Sequence, residues 1–443
     1  MELEGRREEE RDSLERAIEA TGAARREMPV ELLEAHGRCL AALGERRRAE
    51  EVFRAHLAAA VSAGDAAAEA MAHGVLARLA LDRGDLAAAR VGAERSLLLA
   101  RAARQPHQEA SVLGLLASLY ERTGKPDPAL AHHARRLALA TRLSDARQAS
   151  DAHGDLARLA LHRGRLREAL VHLDRQATTA RDAGHRRGES RARHGFGRVA
   201  LARGHLLEAV EAFREAIASA RAAGSASEEA AASVDLAHAT LCLGDAPQAL
   251  SVLLRAMSLA ARDGDAETLA DARVACGLAA EHRGDGEEAA SWHREVLSAR
   301  LALSGPTEVH AWLGLARAAA LSGRPDRAVE PLDRATAIAA ARGWPSTRTT
   351  AAALRAAFVG GDASHALALL AEHGESLPWA ERIEAHVALA KATGDPWHFL
   401  EARRALDAAQ VDLSPEARDT MDRGFPPARA AREGAGAVGG EHR

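Results

Sequence analysis

Asparagine is absent from the 443 residues, which removes every N-glycosylation acceptor. Lysine occurs only at Lys125 and Lys391, so the basic charge is almost entirely arginine. Aromatic residues make up 3%, and the apolar content is mostly alanine and leucine, which suits close-packed helices and suits sheets poorly. The three cysteines, Cys39, Cys242 and Cys276, lie far apart with no CxxC pair. That spacing excludes a disulfide framework and fits a reducing compartment, so the expected location is the cytoplasm. No apolar run approaches the roughly twenty residues a membrane span needs. A formal charge of −4 leaves no basic excess to advertise nucleic acid or a membrane surface. The opening MELEGRREEERDSLERAIEA is too charged to be a secretory signal.

What the sequence does have is a period. Glycine recurs at Gly44, Gly84, Gly124, Gly164, Gly204, Gly244 and Gly284, every forty residues. A second break follows twenty residues later, at Gly64, Gly184, Gly224 and Gly264, with Ser144 and Ser304 at the equivalent places. Between breaks, apolar residues keep helical spacing, as in Ala49, Val52, Phe53 and Leu57. Such a period is the signature of stacked two-helix repeats. A lone helical hairpin cannot bury both its apolar stripes, and stacking copies buries them against neighbours. The expected fold is all-α, a right-handed α-solenoid of about ten helix-turn-helix repeats.

The grid divides the chain. Residues 1–27 read as a charged helix, either a partial repeat or a polar cap, with a narrow apolar stripe of Leu3, Leu14, Ala17 and Ile18. Residues 28–343 hold eight regular repeats, the eighth turning one residue early at Gly323. Residues 344–412 read as two degenerate repeats punctuated by Pro345, Pro378 and Pro396. All five tryptophans, Trp292, Trp312, Trp344, Trp379 and Trp397, fall in the last third, where they are expected to fill the irregular core. Residues 413–443 form a tail whose end, GFPPARAAREGAGAVGGEHR, has the Gly, Ala and Pro content of a disordered segment.

The residues resemble the tetratricopeptide repeat. With Gly204 as the turn glycine, Phe196 and Gly197 match that family's large-then-small pair in helix A. Downstream, Ala209, Phe213 and Ala216 match its small, aromatic and small positions in helix B, and Ala169, Ala249, Ala289 and Ala328 repeat the first of these. Tyr120 and Trp312 fall on its helix-A aromatic positions. The forty-residue period is similar to the long-helix variety found in cell-polarity adaptors and in many bacterial regulators. The resemblance implies a non-enzymatic scaffold or adaptor that binds a protein or peptide along a concave face built from the A helices. It equally implies a sensory or autoinhibitory regulator of a signalling or transcription system.

In that family the residue six before the turn glycine faces the groove. Here the column reads Arg38, Arg78, Ser118, Arg158, Arg198, His238, Leu278 and Arg317. Five of eight are arginine, where the composition would place about one. If A helices stand roughly 8–10 Å apart, a peptide rising about 3.3 Å per residue meets one such side chain every third residue. Guanidinium matches carboxylate geometry, so the expected site is Arg38, Arg78, Arg158, Arg198, His238 and Arg317, and the expected ligand an acidic or C-terminal peptide. Asp151, Asp155 and Asp235 map to the same face and would offset the row.

Other coincidences carry less. Twenty-one histidines include no HExxH and no pair at i,i+4, so no metal site and no cofactor is expected. Arg83-Gly84-Asp85 and Arg283-Gly284-Asp285 spell an adhesion tripeptide that the repeat turn generates by itself. Gly195-Phe196-Gly197 imitates a dinucleotide loop but lacks the preceding strand. No nucleophile–base constellation is present, so the chain is not expected to be an enzyme.

Overall fold

A computed structural model of the chain describes residues 2–23, 29–43, 45–299 and 306–440. Gly44 and Ser304 of the repeat grid lie outside them. The described residues contain helices and no strand. Helix α1 (Glu2–Ala23) comes first. Helix-turn-helix pairs follow: α2 (Val30–Ala42) and α3 (Arg46–Ala63), α4 (Ala66–Asp82) and α5 (Leu86–Ala102), α6 (Pro106–Arg122) and α7 (Pro126–Arg142), α8 (Ala146–His162) and α9 (Leu166–Asp182). Then come α10 (Arg186–Arg203) and α11 (Leu206–Ala222), α12 (Ala226–Cys242) and α13 (Ala246–Asp263), α14 (Ala266–Arg283) and α15 (Gly286–Ser298), α16 (Thr307–Leu321) and α17 (Val329–Arg342). The remaining helices are α18 (Pro345–Val359), α19 (Ser364–His373), α20 (Trp379–Thr393), α21 (Pro396–Ala409), α22 (Pro415–Gly424) and α23 (Pro426–Gly440). The chain divides into two compact units, Met1–Ala152 and His153–Arg443, with the division inside α8.

The period becomes structure at the turns. Gly204 takes φ 83° and Gly244 φ 85°, conformations that side-chain-bearing residues rarely adopt. Around each, the helix closes with the paired 6→1 and 5→2 hydrogen bonds of a glycine cap. His205 N donates to Ala200 O at 2.9 Å and Gly204 N to Leu201 O at 3.0 Å. Where aspartate follows the glycine, it caps the next helix: Asp85 accepts from Ala88 N and Asp285 from Glu288 N. The Arg-Gly-Asp tripeptides are therefore a helix end, a left-handed turn and a helix start.

The core follows the repeat register. Ala169, Ala209, Ala249, Ala289 and Ala328 are each fully buried, as is Phe213. Gly197 is small because a Cβ there would stand 2.6 Å from the Phe213 ring. Gly37 faces Phe53 and Gly277 faces His293 in the same way. Of the tryptophans, Trp379 and Trp344 are buried in the cores of the last repeats, whereas Trp397 is half exposed.

Residues 413–440 differ from the disorder expected of their composition, and residues 441–443 lie outside the described residues. The described part forms α22 and α23, and Met421, Phe425, Ala428 and Ala431 join a core cluster with Leu206, Trp379 and Ile383. Alanine on a helix face buries well against close neighbours even where overall hydrophobicity is low. No helix among the described residues is long and apolar enough to cross a membrane.

Candidate functional site: a cavity in the second unit

A cavity of about 630 Å³ lies within the second unit. Its walls come from the A helices α10, α12, α14, α16, α18 and α20, and one side is formed by Phe425, Pro426, Pro427 and Ala430 at the start of α23. The lining is largely apolar, with Leu201, Val274, Leu278, Leu321, Trp344, Leu354 and Phe358 prominent.

The inward-facing column is partly assembled here. Arg198, His238, Leu278 and Arg317, four consecutive members on α10, α12, α14 and α16, all line the cavity. Arg158 does not line it and stands 3.9 Å from Asp155. Arg38 and Arg78 belong to the first unit and are exposed, Arg38 paired with Glu34 at 2.7 Å. Of the six site residues expected from sequence, the structure thus brings together Arg198, His238 and Arg317.

The arginines arrive with carboxylates. Asp235 accepts a hydrogen bond from His194 Nε2 at 2.7 Å and lies 3.6 Å from Arg198 Nε and 3.8 Å from His238 Nδ1. Burial alone would raise its pKa, but the His194 hydrogen bond and the Arg198 charge hold it well below the usual carboxylate range. Arg317 donates from Nε and Nη2 to the two oxygens of Glu384, both at 2.6 Å, in a bidentate fork. Glu281 approaches the same guanidinium at 3.8 Å and accepts from His293 Nε2 at 2.8 Å. A chain His293–Glu281–Arg317–Glu384 therefore ties α15, α14, α16 and α20 together at the cavity wall.

Besides Lys391, which is exposed, the lining holds several titratable groups shifted by burial. Burial, reinforced by Arg317 and His238, lowers His282 to about 3; burial, with His238 and Arg317, does the same for His310. Glu381 is pushed up to about 7 by burial and by neighbouring Glu384. His238 Nε2 and His282 Nδ1 are buried with no hydrogen-bond partner on the protein. The Cys242 thiol, also in the lining, is pushed up to about 12 by burial, which makes it a poor nucleophile. Among the described residues, no group of three or more His, Cys, Asp or Glu is placed to hold a metal.

The sequence reading missed Glu281, Glu384, His282 and His310. Glu281 carried a signal, since leucine stands at its register in Leu81, Leu161, Leu201 and Leu241. Glu384 carried none, because the period has decayed by α20 and no register assigns it a face.

A family model described as tetratricopeptide repeat matches residues 112–147, which run from within α6 through α7 to the start of α8. The turn, the buried small residues and the helix pairing are those of that repeat. Over that stretch the chain carries a tetratricopeptide repeat. Among solved structures, the Rap conjugation gene regulator of plasmid pLS20, in complex with the Phr* peptide, matches this tetratricopeptide-like chain with TM-score 0.50 and 12% identity, over 72% of this chain and 96% of its own. A Rap protein complexed with Competence and Sporulation Factor gives TM-score 0.44 at 13% identity, over 93% and 99%. Aspartyl phosphate phosphatase F from Bacillus subtilis gives 0.44 at 13%, over 78% and 94%. At such identities the likeness is one of fold. No curated protein matches the sequence.

Proposed function

We propose that residues 153–443 are a receptor for a short, largely apolar peptide segment, held inside the cavity rather than along an open groove. The observation that carries this reading is the convergence of four consecutive inward-facing column positions on one mostly apolar cavity of about 630 Å³. That volume lies within the roughly 300–1,000 Å³ of ordinary ligand sites, which combine apolar walls with a few placed polar groups. The neutral imidazoles of His238 and His282 offer unspent hydrogen-bonding atoms that suit the amides of a peptide backbone.

The expectation of an acidic ligand changes at this point. Arg198 faces Asp235, and Arg317 is forked by Glu384 with Glu281 beside it. An arginine already matched by carboxylate has little left for another, so the ligand is recognised by apolar side chains and neutral backbone. The pLS20 Rap regulator, whose fold this chain shares, was solved with a peptide bound, and that supports the class of ligand. The cavity's size favours the regulatory reading over the open adaptor, because about 630 Å³ with one wall from the chain's own C-terminal hairpin suits a signal-sized ligand.

The test is selection from a random short-peptide library on the full chain, followed by photo-crosslinking of the selected peptide. Crosslinks to the inner faces of α10, α12, α14 and α16 are expected. Crosslinks confined to residues 1–152 or to the outer B helices would overturn the proposal.

A further inference from the structure

The geometry points to the C-terminal hairpin, α22 with α23, as a movable wall that swings outward to widen the cavity for its ligand. This rests on the cavity as the ligand site, and its test needs no ligand.

The hairpin is attached unequally on its two sides. Toward α21 it is tied by polar contacts. Arg432 pairs with Asp407 at 3.0 Å and donates to Gln410 Oε1 at 2.6 Å, and Gln410 Nε2 donates to Asp422 at 2.7 Å. Arg418 donates to the carbonyls of Leu413 at 3.0 Å and Val411 at 2.9 Å, bracing the turn that enters α22. Toward α12 and α14 the contacts are of another kind. Phe425 lies 5.7 Å from the His282 ring, and Leu243 and Cys242 pack against the cluster that holds Met421. Among the described residues, no hydrogen bond or ion pair joins the hairpin to residues 153–344. One edge is thus fastened and the other only rests, the arrangement of a hinge and a free margin.

The free margin closes backbone to backbone. A Cβ added at Gly424 would overlap the carbonyl of Gly244, and one added at Gly244 would overlap the carbonyl of Thr420. Gly244 needs to be glycine for its own φ of 85°. Gly424 does not: it is the last residue of α22, in helical geometry, where alanine is the better helix former. Its hydrogen side chain is explained by the seat on Gly244. Immediately beyond it, Phe425 stacks on Trp379 at 5.5 Å, and Pro426 and Pro427 form part of the cavity wall. Lifting Gly424 from Gly244 therefore moves the wall itself.

Gly424→Ala props this margin open. In the full chain without peptide, alkylation of Cys242, which lines the cavity beside the margin, should accelerate about tenfold in Gly424→Ala. Cys39 and Cys276, both buried elsewhere, should keep their rates. An unchanged Cys242 rate overturns the movable wall while leaving the peptide reading intact. Should the substitution loosen the whole fold and accelerate all three thiols, hydrogen exchange on the wild-type chain decides. Amides of 417–435 exchanging together, about tenfold faster than those of α12 and α14, support the movable wall, and exchange at one common rate overturns it.

Discussion

At the residue scale, the most informative substitutions are those that break a column in pairs. Leucine occupies the first helix-A end position in Leu81, Leu161, Leu201 and Leu241, and the facing helix-B positions of those repeats hold Ala93, Leu173, Phe213 and Leu253. In two repeats both change together, to Glu121 with His133 and to Glu281 with His293. Each pair is hydrogen bonded within 3 Å, at 2.9 and 2.8 Å, and all four side chains are buried. Removing one partner takes this hydrogen bond from a buried polar side chain, whereas removing both brings the pair closer to the apolar contact of neighbouring repeats. Glu121→Leu alone should therefore cost about 3–5 kcal/mol, and Glu121→Leu with His133→Leu should return to within about 1 kcal/mol of wild type. Denaturant unfolding of the four members of the cycle checks this, and a double variant as unstable as the single would refute it. Glycine follows the same logic of paired size: it stands opposite the rings of Phe53, Phe213 and His293, while alanine stands in the register of Leu173 and Leu253. The Ala117 repeat, with His133, departs from that rule.

At the scale of the element, the turn was the most legible part of the chain. A left-handed residue is needed once per helix end, and glycine supplies it without steric cost, so the period announces itself. Two turns manage without glycine: Arg104 at φ 52° and Ser144 at φ 55° occupy the same left-handed position. Gln105 N still donates to Ala100 O at 2.8 Å, and Asp145 N to Ala140 O at 2.9 Å, so the cap is intact and the conformational cost is carried by the side chain. Arg104→Gly and Ser144→Gly should each stabilise the first unit by about 0.5–1 kcal/mol, read as a higher unfolding midpoint. A lower midpoint for both would show that these side chains contribute more than their strain. What the turn could not reveal is the register of the helices past Gly343. There the spacing shortens, so Glu384 on α20 could not be placed opposite Arg317, sixty-seven positions earlier. The hairpin of α22 and α23 was hidden for a different reason. Its composition is that of a flexible tail, and only contact with Leu206, Trp379 and Ile383 makes its alanines a core.

At the scale of the whole second unit, burial of ionisable groups sets the response to pH. Burial lowers His282 and His310 to about 3, and His153 and His386 to about 4, each helped by neighbouring positive groups. In the unfolded chain these titrate near 6.5. Between about pH 4 and 6.5 the unfolded state therefore binds protons that the folded state refuses, and stability falls as pH falls. Asp271 and Glu381, raised to about 7 chiefly by burial, act in the opposite sense: they hold protons when folded and lose that contribution as pH rises through 7. Four histidines outweigh two carboxylic acids, so the melting temperature should drop on going from pH 7 to pH 5. His310→Gln should flatten the slope, and a melting temperature that is level or rises over that range would contradict the balance. The same neutrality defines the ligand. Matched arginines and uncharged imidazoles leave an interior that selects for apolar side chains, and Leu278 sits in the middle of that interior as the apolar member of an otherwise polar column. Calorimetric titration of a selected peptide into the wild-type chain and into Leu278→Trp tests this most directly. The larger side chain should occupy the cavity and weaken binding by about tenfold or more with the helical content unchanged, and equal affinity for the two chains would contradict a ligand site inside the second unit.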